Sequence, residues 1–358
     1  MIWKRAVFAL FAVAAGTNVP TPLLLVYQER LDLSPEVLTA LFGCYAAGLV
    51  PALLLAGPLS DRLGRRRVAI PGIVLSALAS LAFAAAGDSL TLLFTARFLQ
   101  GVVSGVVFSV GSAWVGELSL TSGEGAGGRR AAFAMTAGFS LGPLTSGLLG
   151  QYAPAPTVLP YLLHSALAFV GLSFALRLPE TVDLLPASRP GAHASTAPLI
   201  RRGDGLLVEL PYGGVAVTGV LAGVTLGAGT LVAGLQRPLG RWTAVVGTAV
   251  GAAGFATAAA FATTGDAVWL VATAPLLGSG GGLCLAAGLT LTGRLAAPTR
   301  RGALTALFLA IAYLGFAVPF VMAVVARASS STVPLAAAAG LTALLSLRLL
   351  PVARRRQL

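Results

Sequence analysis

The sequence predicts an all-α protein, a polytopic bundle of transmembrane helices. Its 358 residues are 56% hydrophobic and only 10% charged, with a mean hydropathy of +0.88. Soluble domains carry roughly 25% charged residues, so this composition is that of a membrane protein. Apolar runs near the ~20 residues that a helix needs to cross a bilayer recur along the chain, and we count about eleven of them.

The positive charge is distributed as membrane topology requires. The formal net charge is +12, and 21 of the 24 Lys and Arg residues fall in segments that we predict to be cytoplasmic. Arg30 and Arg327 fall outside, and Arg97 falls within the membrane. Short cytoplasmic loops carry such an excess of Lys and Arg. The distribution therefore predicts a multi-pass protein of the cell inner (plasma) membrane with cytoplasmic N- and C-termini, and it argues against nucleic-acid binding.

The residue types needed for metal or covalent chemistry are sparse. Cys44 and Cys284 each lie alone in an apolar run, and the chain has only two histidines. This arrangement argues against a disulfide framework or a metal site. Neither a carboxylate pair nor a nucleophile–base pair occurs at membrane depth, so we predict no enzyme activity, no metal and no cofactor.

The first predicted span, Ala6 to Tyr27, is interrupted by Asn18-Val19-Pro20-Thr21-Pro22. Prolines within a spanning helix free backbone carbonyl groups, which other helices or a cavity must satisfy. One interpretation is a simple kink. The other is that Asn18 and the unwound backbone face a substrate path, and Asn18 is therefore a candidate site residue.

Two apolar runs, Val37 to Ala56 and Val68 to Ala86, flank a short basic stretch that we predict to be a cytoplasmic loop. It reads Gly57-Pro58-Leu59-Ser60-Asp61-Arg62-Leu63-Gly64-Arg65-Arg66-Arg67. A positive-inside turn would explain the arginines but not this order. The glycines permit a tight turn, and Asp61 can interact with the N-terminal end of a helix or with an adjacent arginine.

This order resembles the loop between helices 2 and 3 of the major facilitator superfamily (MFS) of secondary transporters. The family pattern is Gly-x-Leu-x-Asp-Arg-x-Gly-Arg-Lys/Arg, and in the family the loop acts as a latch between conformations. The resemblance implies an MFS-like fold of two helical halves. It also implies the latch role for Gly57, Asp61, Arg62, Gly64, Arg65 and Arg66.

The fourth predicted span, Leu90 to about Trp114, contains Arg97 and Gln100. A charge within a span costs at least ~2.5 kcal/mol, so Arg97 should face the bundle interior or water and have a partner. The sequence Leu93-x-x-x-Arg97-x-x-Gln100-Gly101 resembles the family's helix-4 motif, whose arginine is associated with proton or substrate coupling. The alternative is a structural arginine whose side chain reaches the membrane surface.

The fifth predicted span carries Gly138, Gly142, Pro143 and Gly147. Spaced glycines with a proline favour a bent helix that packs tightly on its neighbour. The stretch resembles a Gly-Pro motif of helix 5 in the exporters of the family, the drug-antiporter branches, although Ser146 replaces one glycine. The resemblance favours export, whereas the same pattern can serve packing alone.

The sixth predicted span, about Val158 to Leu178, contains His164. A single histidine in an apolar span is either a packed, hydrogen-bonded side chain or a proton carrier, and His164 is therefore a candidate coupling residue. The span ends in Leu178-Pro179-Glu180-Thr181, another resemblance to the family.

Two halves are predicted: a six-helix half at residues 1–178 and a half of about five helices at 214–358, joined by a cytoplasmic linker at 179–213. The stretch Arg237 to Arg241 looks like a decayed copy of the first basic loop, which the family would place between helices 8 and 9. Only one span fits before it where two are expected, so the counterpart of helix 7 is missing from the usual 12. The linker arginines predict the cytoplasmic side, which conflicts with this odd number of spans.

These resemblances imply a secondary transporter that moves a small organic solute by alternating access. We expect proton-coupled efflux of an amphipathic or drug-like compound, with Tyr313 joining Asn18, Arg97, Gln100 and His164 on the substrate path or in coupling. Two alternatives stay open: a sugar or metabolite importer of the same superfamily, and a non-transporting remnant or regulatory membrane protein. The expected partners are a small-molecule substrate, protons and the lipid bilayer, without nucleic acid, and the expected state is a monomer.

Overall fold

The computed structural model describes residues 2–122, 126–181, 214–233, 235–295 and 318–354. Within these ranges the regular secondary structure is helical throughout, with no strand. The α-helices, in chain order, are α1 Trp3–Thr17, α2 Pro20–Leu31, α3 Pro35–Leu63, α4 Arg65–Ala84, α5 Leu90–Glu117, α6 Ala126–Tyr152, α7 Leu159–Ala175, α8 Gly214–Ala233, α9 Gln236–Leu239, α10 Thr243–Thr264, α11 Ala267–Leu295, α12 Val318–Ala328 and α13 Thr332–Arg354.

The described helices fit the predicted number of spans. Nine stretches of the described chain are long and apolar enough to cross a membrane, counting α1 and α2 as one. The apolar helix α7 adds a shorter one of 17 residues. Helix α12 lies at the end of a further apolar run, residues 303–326, whose first part lies outside the described residues. The prediction of an all-α, polytopic bundle with about eleven spans is confirmed.

The chain divides into two compact units. The first comprises residues 1–197, 212–220 and 298–306, and the second comprises 198–211, 221–297 and 307–358. In the first unit, α5 packs along α3 and α4, α7 packs on α4, and α1 lies against α5, α6 and α7. In the second unit, α10 packs against α11 and α13. The predicted linker 179–213 lies mostly outside the described residues, so the boundaries of the two predicted halves stay a prediction.

Helix α1 runs through the interior of the first unit. Its last six residues, from Ala12 to Thr17, are all buried, and most of them are small. Gly138 and Gly142 of α6 face α1 without side chains, and a Cβ at Gly142 would lie 2.1 Å from the carbonyl oxygen of Ala15. Small residues on both helices therefore bring the two backbones into contact. This close packing positions the end of α1 where side chains of α5 and α7 can reach it.

The basic stretch predicted to be a loop is almost entirely helical. Helix α3 continues through Asp61 to Leu63, and α4 begins at Arg65, so Gly64 alone separates the two helices. The φ angle of Gly64 is +102°, in the region where a residue with a Cβ is strained. The predicted loop was wrong because leucine and arginine are good helix formers, so the helix continues after its apolar residues end.

Candidate functional site

The first span is broken between α1 and α2, at the prolines that the sequence marks. Pro20 has no N–H, so the carbonyl group of Gly16 lacks its usual helical donor. The N–H of Thr21 donates to the carbonyl oxygen of Asn18 at 3.1 Å instead of to Thr17. The Gly16 carbonyl oxygen accepts from the N–H of Val19 at 3.3 Å, and the Thr17 carbonyl oxygen loses its helical donor, so both oxygens can accept from other elements.

Two side chains of α5 supply these donors. Gln100 Nε2 donates to the Gly16 carbonyl oxygen at 2.6 Å, and Arg97 Nη1 donates to the Thr17 carbonyl oxygen at 3.2 Å. Arg97 Nη1 also donates to Gln100 Oε1 at 2.7 Å, which holds the two side chains together. Both residues are buried. The pair on α5 thus replaces hydrogen bonds that the break removes from the first span.

The Arg97 guanidinium lies against two aromatic rings of α3. Its Cζ atom is 4.7 Å from the ring centroid of Tyr45 and 5.3 Å from that of Phe42. The quadrupole of an aromatic ring attracts a cation over its face, by about 2 kcal/mol when the pair is desolvated. Arg97 is only 1% exposed. Its side chain therefore faces the interior of the first unit and does not reach the membrane surface.

Asn18 is buried at the same break. Its Nδ2 atom donates to the carbonyl oxygen of Phe139 on α6 at 3.5 Å. The hydroxyl oxygen of the preceding residue, Thr17, lies 3.1 Å from the hydroxyl oxygen of Ser104 on α5. The end of α1 is thus held from α5 and α6 together, and the role of Asn18 on a substrate path stays a prediction.

His164 of α7 reaches the same part of α1. Its Nε2 lies 3.0 Å from the carbonyl oxygen of Ala12, and its Nδ1 lies 2.6 Å from the hydroxyl oxygen of Ser80 on α4. A carbonyl oxygen only accepts, so in the neutral ring Nε2 carries the proton and Nδ1 accepts from Ser80. The ring covers Gly16, where a Cβ would lie 2.1 Å from the imidazole. Both ring nitrogens are therefore satisfied in the neutral state.

The structure brings four of the five predicted path and coupling residues around the end of α1: Asn18, Arg97, Gln100 and His164. Tyr313 lies outside the described residues. In the described ranges, no group of three or more His, Cys, Asp or Glu side chains is arranged to hold a metal ion. The assembled groups can donate hydrogen bonds, carry positive charge and, at His164, exchange a proton.

A second cluster forms where α3 and α5 end and α4 begins. Arg65, whose side chain is 1% exposed, forms ion pairs with Asp61 at 2.5 Å and with Glu117 at 2.9 Å. Its Nε donates to the same Glu117 oxygen at 3.0 Å, and its Nη1 donates to the hydroxyl of Ser60 at 2.5 Å. The sequence allowed Asp61 to interact with the N-terminal end of a helix or with an adjacent arginine, and the structure shows the ion pair with Arg65. Arg62 is exposed, so the buried Arg65 is the residue that ties the three helices together.

The carboxylate of Glu180 caps the start of α4. It accepts from the backbone N–H of Arg65 at 2.7 Å and from that of Arg66 at 3.0 Å. The first N–H groups of a helix lack intrahelical acceptors and carry partial positive charge, so a carboxylate is stabilised there. Gly64 leaves room for it, because a Cβ at Gly64 would collide with the carboxylate. Arg66 Nη2 also donates to the carbonyl oxygen of Leu176 at 2.8 Å, which fastens the end of α7 to α4.

Both clusters lie in the region that a sequence model of the Major Facilitator Superfamily matches, residues 6–234. The chain belongs to this superfamily. The family and the fold are those of membrane transporters rather than of an enzyme, as the sequence predicts.

Similar proteins are found by sequence and by structure. A stretch of 80 residues is 41% identical to the multidrug resistance protein MdtL of Escherichia coli (strain K12 / DH10B), and it covers 22% of this chain and 20% of that protein. The matched stretch is thus about a fifth of the relative's length. The inward-open xylose transporter XylE from E. coli has a TM-score of 0.75 at 14% identity, covering 97% of this chain and 95% of that chain. The nucleoside transporter NupG has a TM-score of 0.74 at 12% identity, covering 98% of each chain. At these identities the structural likeness shows the superfamily fold.

The glycines of the two stretches that resemble superfamily motifs mark close helix contacts. A Cβ at Gly57 of α3 would lie 3.1 Å from the hydroxyl oxygen of Ser109 on α5. A Cβ at Gly147 of α6 would lie 2.7 Å from the Cα atom of Gly219, in the part of α8 that belongs to the first unit. Pro143 lies inside α6 without ending it. Packing accounts for these glycines, so their bearing on export rests on the resemblance to the exporters of the superfamily.

Sequence reasoning missed several residues that complete the two clusters. Glu117 lies beyond the predicted end of its span, and Ser80 and Tyr45 are ordinary members of apolar runs. The signal for Glu117 is an acidic residue just past an apolar helix, at the end of the bundle where the superfamily's basic motif lies. Ser80 and Tyr45 offer no such signal, because their contacts depend on which helices meet.

Proposed function

We propose that this chain is a secondary transporter that moves a small organic solute by alternating access, and that it exports amphipathic or drug-like compounds in exchange for protons. The observation that carries the proposal is the broken first span, whose freed carbonyl groups are held by the buried pair Arg97 and Gln100. Irregular backbone at membrane depth is tolerated only where it is buried in protein or lines a cavity. Discontinuous helices of this kind form substrate and ion sites in transporters.

Two likenesses support export. The 80-residue match is to a multidrug resistance protein, and α6 carries the Gly-Pro pattern that resembles exporters of the superfamily. The direction of transport is a separate part of the proposal: export predicts exchange of the solute for protons, and import predicts uptake of the solute together with protons.

We assign proton binding to His164. The sequence has no Asp or Glu in the middle of a predicted span, whereas His164 is a titratable group in the interior of the first unit. Uptake of a proton converts Nδ1 from an acceptor into a donor, so the Ser80 hydroxyl must turn to accept from it. The proton therefore changes a contact between α7 and α4 directly.

Protonation of His164 also acts on the broken span. The groups that face the ring from α1 and α4 are Ala12, Gly16 and Ser80, none of which titrates. The nearest charged side chain that binds the same part of α1 is Arg97, which donates to the carbonyl oxygen of Thr17. On α7 itself, Tyr161 lies one turn before His164. A positive ring adds like charge beside that turn, which weakens the hold of Arg97 on the break. We propose this repulsion as the coupling step.

We propose the Arg65 cluster as the conformational latch. Arg65 is buried between Asp61, Ser60 and Glu117 and keeps three helices of the first unit together. A latch also needs members that can exchange partners. Asp61 and Arg62 are the exposed members, so they are the groups that can change contacts while Arg65 stays in place.

The test uses the purified full chain, reconstituted into vesicles that contain a pH-sensitive dye and carry an imposed proton gradient. Addition of a lipophilic cation should dissipate the gradient with the wild type and not with Arg97→Gln. The matched control is Arg30→Gln, which removes an exposed ion pair with Asp88 (2.8 Å). A proton flux that no added cation changes would refute proton antiport. Uptake of a sugar or metabolite together with protons would establish the importer instead, and a folded protein that moves neither would establish the non-transporting remnant.

A further inference from the structure

Arg97 has more hydrogen-bond donors than the described chain satisfies. A guanidinium carries five N–H donors and no acceptor. Nη1 is used by Thr17 and Gln100. Nε and Nη2 are buried and donate to no group in the part of the chain that the structure describes. A buried donor without an acceptor costs free energy, and the cost is greater for a charged group.

The charge of Arg97 also lacks a counter-charge. Among the described residues, the ion pairs of the first unit involve Arg30 and Arg65 and not Arg97. The groups within electrostatic range of its guanidinium are the hydroxyls of Tyr45 and Tyr161 and the thiol of Cys44. None of these carries a negative charge at neutral pH. A charge buried in a span is normally paired. The Arg97 guanidinium is therefore expected to have an anion as its partner.

Two tyrosine hydroxyls provide further donors. Tyr27 of α2 and Tyr161 of α7 are 1% and 0% exposed, and neither hydroxyl has a hydrogen-bond partner of normal geometry among the described residues. The two hydroxyls adjoin each other, and both rings belong to a buried cluster that includes Ala96, the neighbour of Arg97 on α5. Tyr161 stacks on Phe83 with ring centroids 4.9 Å apart, which fixes the position of its hydroxyl.

We propose that Arg97, Tyr27 and Tyr161 bind a small monovalent anion of the size of chloride inside the first unit. The unpartnered atoms of these three side chains come from three different helices and are all able to donate. A chloride ion accepts several hydrogen bonds and donates none, which suits such a lining, and it neutralises the guanidinium. A water molecule would leave the charge unpaired. The bound anion stabilises the arginine that holds the broken span, and it does so whichever solute is moved.

Thermal unfolding of the purified full chain in sodium chloride, sodium bromide and sodium gluconate of equal ionic strength tests this site. Chloride and bromide should raise the unfolding midpoint in a saturable manner, and the large gluconate ion should not. Tyr161→Phe and Tyr27→Phe each keep the ring and remove one donor. For each, the chloride concentration of half effect should rise on the order of tenfold, the factor for one lost hydrogen bond to a charged group.

The control variant is Tyr152→Phe, because Tyr152 lies at the end of α6 and is 78% exposed. It should respond to chloride as the wild type does. In crystals grown with bromide, an anomalous peak should lie beside the Arg97 guanidinium. Equal unfolding in the three salts, a wild-type chloride response in both Phe variants, or bromide bound only elsewhere would overturn the proposal. A protein that binds chloride but moves no solute would refute the transport function alone, so the two proposals fail separately.

Discussion

Replacement of Glu180 by alanine should expose the first turn of α4 to solvent exchange. The Glu180 carboxylate accepts the N–H groups of Arg65 at 2.7 Å and Arg66 at 3.0 Å, and such amides have no acceptor within their own helix. Loss of a capping side chain costs ~1 kcal/mol, and loss of negative charge at a helix start adds about 0.3–1 kcal/mol. A total of about 1–2 kcal/mol corresponds to roughly 5–30-fold in the opening equilibrium, and so in the exchange rate of these two amides.

Hydrogen–deuterium exchange of the full chain in lipid nanodiscs, read on a peptide that begins before Arg65, measures this opening. Glu180→Gln keeps an acceptor oxygen and removes the charge, so its effect should lie between those of the wild type and the alanine variant. Glu29→Ala removes an exposed carboxylate from α2 and is the control. Unchanged exchange in Glu180→Ala, or the same change in the Glu29 variant, would refute the assignment of Glu180 as the cap of α4.

Three further changes have defined outcomes. Gly142→Ala places a Cβ 2.1 Å from the carbonyl oxygen of Ala15 and should cost ~1–3 kcal/mol by overpacking; its melting temperature should fall below that of Gly43→Ala, whose Cβ meets nothing within 4 Å. Arg65→Lys keeps the charge but loses the paired hydrogen bonds that Nε and Nη2 donate to Glu117. The free energy of unfolding, measured by denaturation, should therefore fall by about 1.5–3 kcal/mol, and a wild-type value would contradict this geometry. His164→Gln cannot take up a proton, so initial transport rates in vesicles should lose their dependence on pH; a retained pH profile would exclude His164 as the proton-binding group.

The membrane helices and the break in the first span were predictable because they depend on the chain alone. Span length and hydropathy follow directly from composition, and Pro20 marks a position where a helical hydrogen bond cannot form. The connection between α3 and α4 was predicted less well. Charged residues such as Asp61 and Arg62 indicate the end of a membrane span, but they do not end a helix, and only Gly64 does so.

The pairing of Arg97 with Gln100 follows from their spacing of three on one helix, which places both on one face. The acceptors of these two side chains, on α1, could not be predicted from the spacing. The prolines indicate that carbonyl groups near Gly16 and Thr17 lose their helical donors, but the sequence does not indicate which helix supplies new ones. That choice depends on the packing of α1 against α5, α6 and α7, which small residues on several helices determine together.

Gly64 and Gly87 are both glycines with positive φ between two spanning helices, yet they differ as sites for protein engineering. Gly64 is buried, its N–H donates to Ser60, and the next N–H is capped by Glu180. Gly87 is exposed, and nothing lies within 4 Å of a Cβ built there. Tolerance to insertion follows the burial and hydrogen bonding of the affected backbone. A peptide tag or fluorescent label inserted at Gly87 would leave the folded helices in place, whereas the same insertion at Gly64 would uncap α4 and separate Asp61 from Arg65.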